Sequence, residues 1–197
     1  MSRNSSIERI TNETQIQVEL GLDGSGNVHC ETGIPFFDHM LSQLGKHGGF
    51  DLSVYASGDI DVDLHHLVED VGISIGQAFV EALGDKRGIR RFASLTLPLD
   101  EALVEVALDL SGRPYIACSI ALPEDRVPLG NPGFEPQLID EFMRAFATAG
   151  LFTLHISSRA GRNTHHILEA SFKALARCLR DAVKVEDLEI PSTKGSL

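Results

Sequence analysis

The sequence predicts an α+β protein made of two similar halves, each in the order strand, strand, helix, strand, helix. Three observations lead there. Short alternating apolar segments interleave with longer stretches of helical periodicity, and that order of segments runs through the chain twice. The segment DLHHLVEDVG at 63–72 returns as NTHHILEASF at 163–172. Apolar residues keep step at the same offset of 100, pairing Leu67 with Ile167, Val68 with Leu168, Ile75 with Leu175 and Phe79 with Leu179.

In the first half, TQIQVEL alternates as a strand does, and NVHCET beyond the Gly-rich DGSG turn is its expected hairpin partner. PFFDHMLSQLGKH reads as a short helix, FDLSVYAS as a strand, and LHHLVEDVGISIGQAFVEALG as a longer helix closed by glycine. In the second half, ALVEVALDL and YIACSIAL flank an SGRP turn; PQLIDEFMRAFATAG is helical, LFTLHISS is a strand and THHILEASFKALARCLRDAV a long helix. Each unit leaves one sheet face and one helix stripe to bury, so two copies packed helix to helix satisfy both. The expected division is 1–92 and 93–197, within one compact pseudo-symmetric domain. The polar tail EDLEIPSTKGSL, taken alone, reads as a frayed terminus.

Composition narrows the classes. The 197 residues are 43% hydrophobic and 23% charged, as in globular proteins generally. The net charge of −11 speaks against a nucleic-acid partner, whose phosphates call for positive charge. No apolar run approaches the roughly 20 residues of a membrane span, and MSRNSSIERI lacks the apolar core of a secretory signal. Cys30, Cys118 and Cys178 are scattered and odd in number. Together these features point to a reduced cytoplasm.

The repeated HHxxE carries the chemistry. On a helix His65 and Glu69 are i and i+4 and share a face, as do His165 and Glu169. His66 and His166 point about 100° away. Each segment therefore offers ligands in two directions, and two segments brought together supply mixed imidazole and carboxylate shells to two metals. That donor set suits Mn, Fe or Zn, not Ca or Mg. One HH pair at a helix start would be a surface feature; duplication alone gives no reason to keep three polar residues in both copies. A further ligand is expected from the preceding helix, His39 of FDHM in one half and Glu141 of IDEF in the other. His155, on a strand, is the weaker candidate.

The remaining signals concern anions. GIRRF, LSGRP and PSTKG place Arg90, Arg91, Arg113, Ser192 and Lys194 in Gly- or Pro-punctuated segments, where guanidinium forks and hydroxyls hold phosphate.

The motifs GIPFFDHMLSQLGKHG, HHLVEDVGISIGQA, PLDEAL, DLSGRPY, GRNTHHILEASFKALARCL and IPSTKG, with ITNETQIQVELGLDGSG ahead of them, cover nearly the whole chain. In them the sequence resembles the imidazoleglycerol-phosphate dehydratase family of histidine biosynthesis. The resemblance implies two fused α+β halves with helices between β-sheets (the ribosomal protein S5 domain 2-like arrangement). It implies a homo-oligomer of twenty-four subunits with active sites shared between neighbours, and two Mn²⁺ per site. It also implies dehydration of a phosphorylated imidazole, imidazole-glycerol phosphate, to imidazole-acetol phosphate. Carried over by position, the metal ligands are His39, His65, His66, Glu69, His165, His166 and Glu169, with Glu141 standing where some members have histidine. Glu13 matches the family's acid/base glutamate, and His39 and Glu169 are also carried over as catalytic. Gln43 and Lys173 match substrate contacts. Arg91, Arg113, Ser192 and Lys194 match the phosphate set, which replaces the frayed tail by a functional one. The chain departs at Leu64 and Leu67, where members often carry Asp and Thr, and in the loop PEDRVPLGNPGFEPQ.

The reacting C–H bond adjoins no carbonyl, so the implied chemistry uses the imidazole ring as electron sink. Metal-bound imidazolate would expel hydroxide through a diazafulvene-like intermediate, with Glu13 moving protons. Two rival readings stand beside it: a dinuclear metal hydrolase of phosphoesters, and a non-catalytic metal-binding oligomer. Phosphate release would favour the first, and metal uptake without turnover the second.

Overall fold

The computed structural model describes residues 3–123, 127–195 and 197; Glu124, Asp125 and Arg126 of the divergent loop lie outside the described residues. The first half runs β1 (Asn4–Ile10), β2 (Thr14–Gly21), β3 (Val28–Glu31), α1 (Pro35–Gly48), β4 (Asp51–Gly58) and α2 (His65–Leu83). The second runs β5 (Phe92–Leu99), β6 (Ala102–Asp109), β7 (Tyr115–Ser119), α3 (Leu138–Ala149), β8 (Thr153–Ala160) and α4 (Thr164–Ala182). The predicted order holds, with one strand added at the front of each half.

β1 and β5 carry weak strand signals. NSSIERI is mostly polar, and FASLTLPL turns Phe92 outward and contains a proline. Each is held as the first arm of a hairpin, β1 on β2 and β5 on β6. In the first turn, Thr11 Oγ1 accepts from the backbone N–H of Glu13 (3.1 Å) and Thr14 (3.0 Å). In the second, Asp100 takes the left-handed conformation (φ 49°).

The sheets follow one topology, β1-β2-β4-β3 and β5-β6-β8-β7. The hairpin expected between 14–20 and 27–32 therefore does not form. β4 inserts between β2 and β3, and β3 runs parallel to β4. Asp51, at the start of β4, explains the placement: its Oδ1 accepts from Ser25 N and Asn27 N, both at 2.9 Å, and so lays the Gly-rich turn against β4.

The inner faces alternate as the sequence predicts. Ile16, Val18 and Leu20 of β2, and Val104, Val106 and Leu108 of β6, are buried. All eight residues matched at the offset of 100 are at most 2% exposed, so the apolar step of the repeat is the step of the core. Leu64 and Leu67, the departures beside the histidines, are buried too. The four helices form the middle layer, with α1 against α4 and α2 against α3, each pair joining the two halves. A phenylalanine cluster fills the centre, where Phe142 meets Phe172, Phe37 and Phe146 at ring distances of 5.1, 5.5 and 5.8 Å. α2 lies close on α3 because Gly72 and Gly76 present no side chain to it.

Candidate metal centre

α1 starts with Pro35 in its first turn, where a missing N–H is harmless. Asp38 Oδ1 fastens that turn to the preceding loop by accepting from Thr32 N (2.9 Å) and Thr32 Oγ1 (2.7 Å). α4 starts at Asn163, whose side chain accepts from His166 N at 3.4 Å. Packing α1 on α4 brings His39 to the residues that the second HHxxE stacks on one face.

His165 Nε2 lies 3.0 Å from Glu169 Oε2, and His39 Nε2 lies 3.4 Å from the same oxygen. The three donor atoms sit within 4.8 Å of one another, the one cluster of this kind among the described residues. Phe36 meets the His165 ring edge to face at 5.3 Å and limits its movement. Two imidazole nitrogens and one carboxylate oxygen fit a borderline divalent cation and leave coordination positions open. Burial alone would push the Glu169 carboxyl up. Lys173 Nζ, 2.6 Å from Glu169 Oε1, outweighs it with help from the two imidazoles, and the pKa falls to about 2. Glu169 is thus ionised at neutral pH, the state in which a carboxylate can ligate a cation. Gln43 lies one turn beyond His39, its amide nitrogen 3.4 Å from His39 Nδ1. The two substrate contacts expected from the resemblance, Gln43 and Lys173, thus both border this cluster.

The other expected ligands take no part in it. His65 and Glu69 sit at the outer side of α2, with Glu69 exposed. His66 donates from Nδ1 to Asp59 Oδ2 at 3.0 Å, with Glu13 Oε2 3.8 Å away. That bond to Asp59 raises the His66 pKa. His166 donates from Nδ1 to Glu101 Oε2 at 2.8 Å. The His166 bond, followed by the backbone N–H of Asn163, lowers the Glu101 carboxyl to about 2. Asp59 and Glu101 had no place in the sequence reading. The signal for Glu101 was its position in PLDEAL; Asp59 left none, being a loop acid seven positions before His66. Glu141 is half-buried on α3 outside the cluster. His155 faces outward on β8 and packs its ring on Tyr115 at 5.6 Å.

The anion residues gather elsewhere. Arg91 donates Nε and Nη2 to Asp109 (2.7 and 3.1 Å) and Nη1 to Pro191 O (2.7 Å). Gly88 N bonds Glu189 O at 2.7 Å, so the segment leading to Ser192 and Lys194 is tied to the approach of β5. Arg113 is exposed beside it, and buried Lys86 has its pKa lowered by desolvation. Arg90 pairs with Glu186. This cationic end adjoins the last residue of α4, where Arg91 N bonds Ala182 O (2.9 Å). Glu169 lies near the first turn, about 20 Å away at 1.5 Å per residue. β6 measures the same gap, from Ala102 beside the start of α4 to Asp109.

Comparison with known proteins agrees over the full length. The family model described as imidazoleglycerol-phosphate dehydratase matches residues 32–179. The imidazoleglycerol-phosphate dehydratase of Gluconacetobacter diazotrophicus is 53% identical, over 100% of this chain and 98% of its own. That of Moorella thermoacetica is 52% identical, with both chains covered completely. Among solved structures, the Pyrococcus furiosus enzyme superposes with a TM-score of 0.83 at 36% identity, covering 97% of this chain and 100% of that one. The Staphylococcus aureus enzyme gives 0.81 at 35% identity, covering 92% and 99%. The chain therefore belongs to the imidazoleglycerol-phosphate dehydratase family.

Proposed function

We propose that the chain performs its family's dehydration, imidazole-glycerol phosphate to imidazole-acetol phosphate in histidine biosynthesis, at sites that two or more copies complete together. One observation carries the shared site: the His39–His165–Glu169 cluster and the Arg91 end of the chain are about 20 Å apart along α4. A three-carbon phosphorylated imidazole, built from bonds of about 1.5 Å, spans under about 10 Å. A single chain cannot hold its ring and its phosphate at once. The arginine end of one copy beside the histidine end of another removes the difficulty, and an assembly of twenty-four subunits is one closed form of that contact.

In this reading two Mn²⁺ are held per site, one of them by His39, His165 and Glu169, with His65, His66, Glu69 and His166 completing the shells between copies. Glu141 belongs to the set by its correspondence to His39. Bound metal of this kind supplies Lewis-acid stabilisation to an imidazole ring. The protein's own residues do the rest. Arg91, Arg113, Ser192 and Lys194 fix the phosphate and so set the orientation of the reacting carbons, worth several kcal/mol when well aligned. Gln43 and Lys173 border the ring. Glu13 is half-exposed on a turn held by Thr11, placed to pass the proton that the ring gives up to the leaving hydroxyl and then to take the proton of the C–H bond. The halves 1–92 and 93–197, the latter with its C-terminal segment, act as one pseudo-symmetric domain, since every helix packs on a helix of the other half. The three free cysteines suit a reducing, cytoplasmic setting, and no helix among the described residues is long and apolar enough to cross a membrane.

The test is turnover of imidazole-glycerol phosphate by the Mn²⁺-loaded protein beside a chelated control. Formation of imidazole-acetol phosphate in the loaded sample alone is expected. No product in either sample would overturn the reading.

A further inference from the structure

The two halves place a glutamate at the same point of the fold and use it differently. β1–β2 and β5–β6 both close through two-residue turns. Thr11 faces Thr14 across Asn12–Glu13, and Leu99 faces Ala102 across Asp100–Glu101. Ile16 pairs with Ala56, and Val104 with Ser158, at matching places in the two sheets. Glu13 and Glu101 are therefore counterparts, each one residue before a central strand and beside the second histidine of an HHxxE.

Their surroundings diverge at one step. β8 contains a register shift opposite Leu103 and Val104 that β4 lacks. Gly58 and Gly161 still correspond: a Cβ on the first would stand 3.3 Å from Leu67 Cδ1, and on the second 2.5 Å from Ile167 Cγ1, and Leu67 and Ile167 are themselves counterparts. The residue after each glycine is Asp59 in one half and Arg162 in the other. A guanidinium cannot accept the imidazole N–H. In the second half Glu101 accepts it, and its other oxygen also accepts from Arg162 N (3.3 Å) and Asn163 N (2.9 Å). In the first half Asp59 accepts it, and Glu13 stands off at 3.8 Å with its side chain 54% exposed. Asp59 Oδ1 is the one buried side-chain oxygen among the described residues with no hydrogen-bond partner, so His66 is the single side chain that this carboxylate serves.

We infer that Asp59 and Glu101 are positioning residues that fix His66 and His166 with Nδ1 protonated and Nε2 presented outward for metal, and that Asp59, by taking over this task, frees Glu13. This rests on the proposed ligand set. Carboxylates behind ligating histidines hold ring and tautomer in this way, and their loss weakens metal binding by about 10–100-fold.

The experiment is a titration of the metal-free protein with Mn²⁺, followed by the electron paramagnetic resonance signal of free aqueous Mn²⁺. Asp59→Ala is expected to weaken one class of sites by about 10–100-fold, and Asp59→Glu to recover most of that loss. Asp59→Asn, which keeps the size but can turn its amide N–H toward Nδ1 and favour the wrong tautomer, is expected to bind as weakly as Asp59→Ala. It carries the test if the alanine variant fails to fold. Glu13→Gln alone is expected to leave the titration unchanged, yet to deepen the loss when Asp59 is alanine, because Glu13 is then the remaining acceptor. Wild-type titration by Asp59→Ala and Asp59→Asn, or a loss in Glu13→Gln equal to theirs, overturns the inference while leaving the metal reading intact. Wild-type protein that takes up no Mn²⁺ overturns both.

Discussion

Gly76→Ala sets two effects of opposite sign against each other, and the structure decides between them. Alanine favours a helix over glycine by about 1 kcal/mol, so at an exposed position the change would stabilise α2. At Gly76 the new methyl would stand 2.7 Å from Gly150 N, 2.8 Å from Ala149 Cβ and 2.9 Å from Phe146 O. Ordinary contact begins near 3.4 Å, so α3 must retreat by roughly 0.7 Å. None of the three blocking atoms lies on a side chain that can rotate away. Retreat also loosens the contact of Phe146 with Phe79 of α2, whose rings lie 6.1 Å apart. Overpacking of this kind costs about 1–3 kcal/mol, and the rigid neighbours place it toward the upper end. The net expectation is a loss of about 1–2 kcal/mol. For a chain of this size that lowers the thermal midpoint by about 2–8 °C. Calorimetry on metal-free protein at fixed concentration reads it, since ligand and assembly both move a midpoint. Gly72→Ala meets looser neighbours, 2.9 Å at the nearest, and falls by less. A midpoint for Gly76→Ala equal to or above wild type would refute the reasoning.

Three other outcomes follow from the site. Glu13→Gln keeps Mn²⁺ and substrate affinity by calorimetry but loses turnover by about 10²-fold or more, the usual scale for a lost proton-transfer group; near-normal turnover removes Glu13 from the chemistry. Arg91→Ala and Glu169→Ala are each inactive alone, but dissociating and reassembling the two together returns part of the activity, because some shared sites receive an intact arginine end and an intact histidine end; no recovery in assembled mixtures would place both ends of the site on one chain. Glu169 ionises at about 2 in the fold against an ordinary 4.5, so its stabilising effect on the metal-free protein is complete above pH 4.5 and disappears as the pH falls toward 2. Unfolding midpoints at pH 5 and pH 3 should therefore differ less in Lys173→Met, which lacks the main group holding that carboxyl down; an equal difference counts against the assignment.

The helices that matter were legible because burial and chemistry share a period. Leu67, Val68 and Ile75 mark one stripe of α2, and the same spacing in α4 identified the repeat. The pairing of His165 with Glu169 needed only i,i+4 geometry, and it is present at 3.0 Å. His39 is 130 residues from Glu169, yet its place one helix earlier in the repeated order was enough to nominate it. What escaped depended on register. β1 has little contrast between its faces and is a strand because β2 pairs with it, while the alternation of β5 is masked by an outward Phe92 and a proline. The partners of His66 and His166 come from a loop and a hairpin turn, and no periodicity links a turn to a helix start. The distance between the histidine and arginine ends was equally hidden, since residues adjacent in the motif list lie at opposite ends of α4.

The exchange of Asp59 for Arg162 between the halves also limits how the two can be swapped. Two copies of 93–185 joined in tandem would keep the fold's pattern of core residues and two HHxxE segments. Both hairpin glutamates would then be engaged as Glu101 is, hydrogen-bonded to a histidine and to the backbone that opens the helix. On the proposed roles, such a chain would keep its metal ligands and have no free acid to move the proton. With those roles, a single residue after a strand, Asp59 in one half and Arg162 in the other, makes a symmetric scaffold asymmetric in its chemistry.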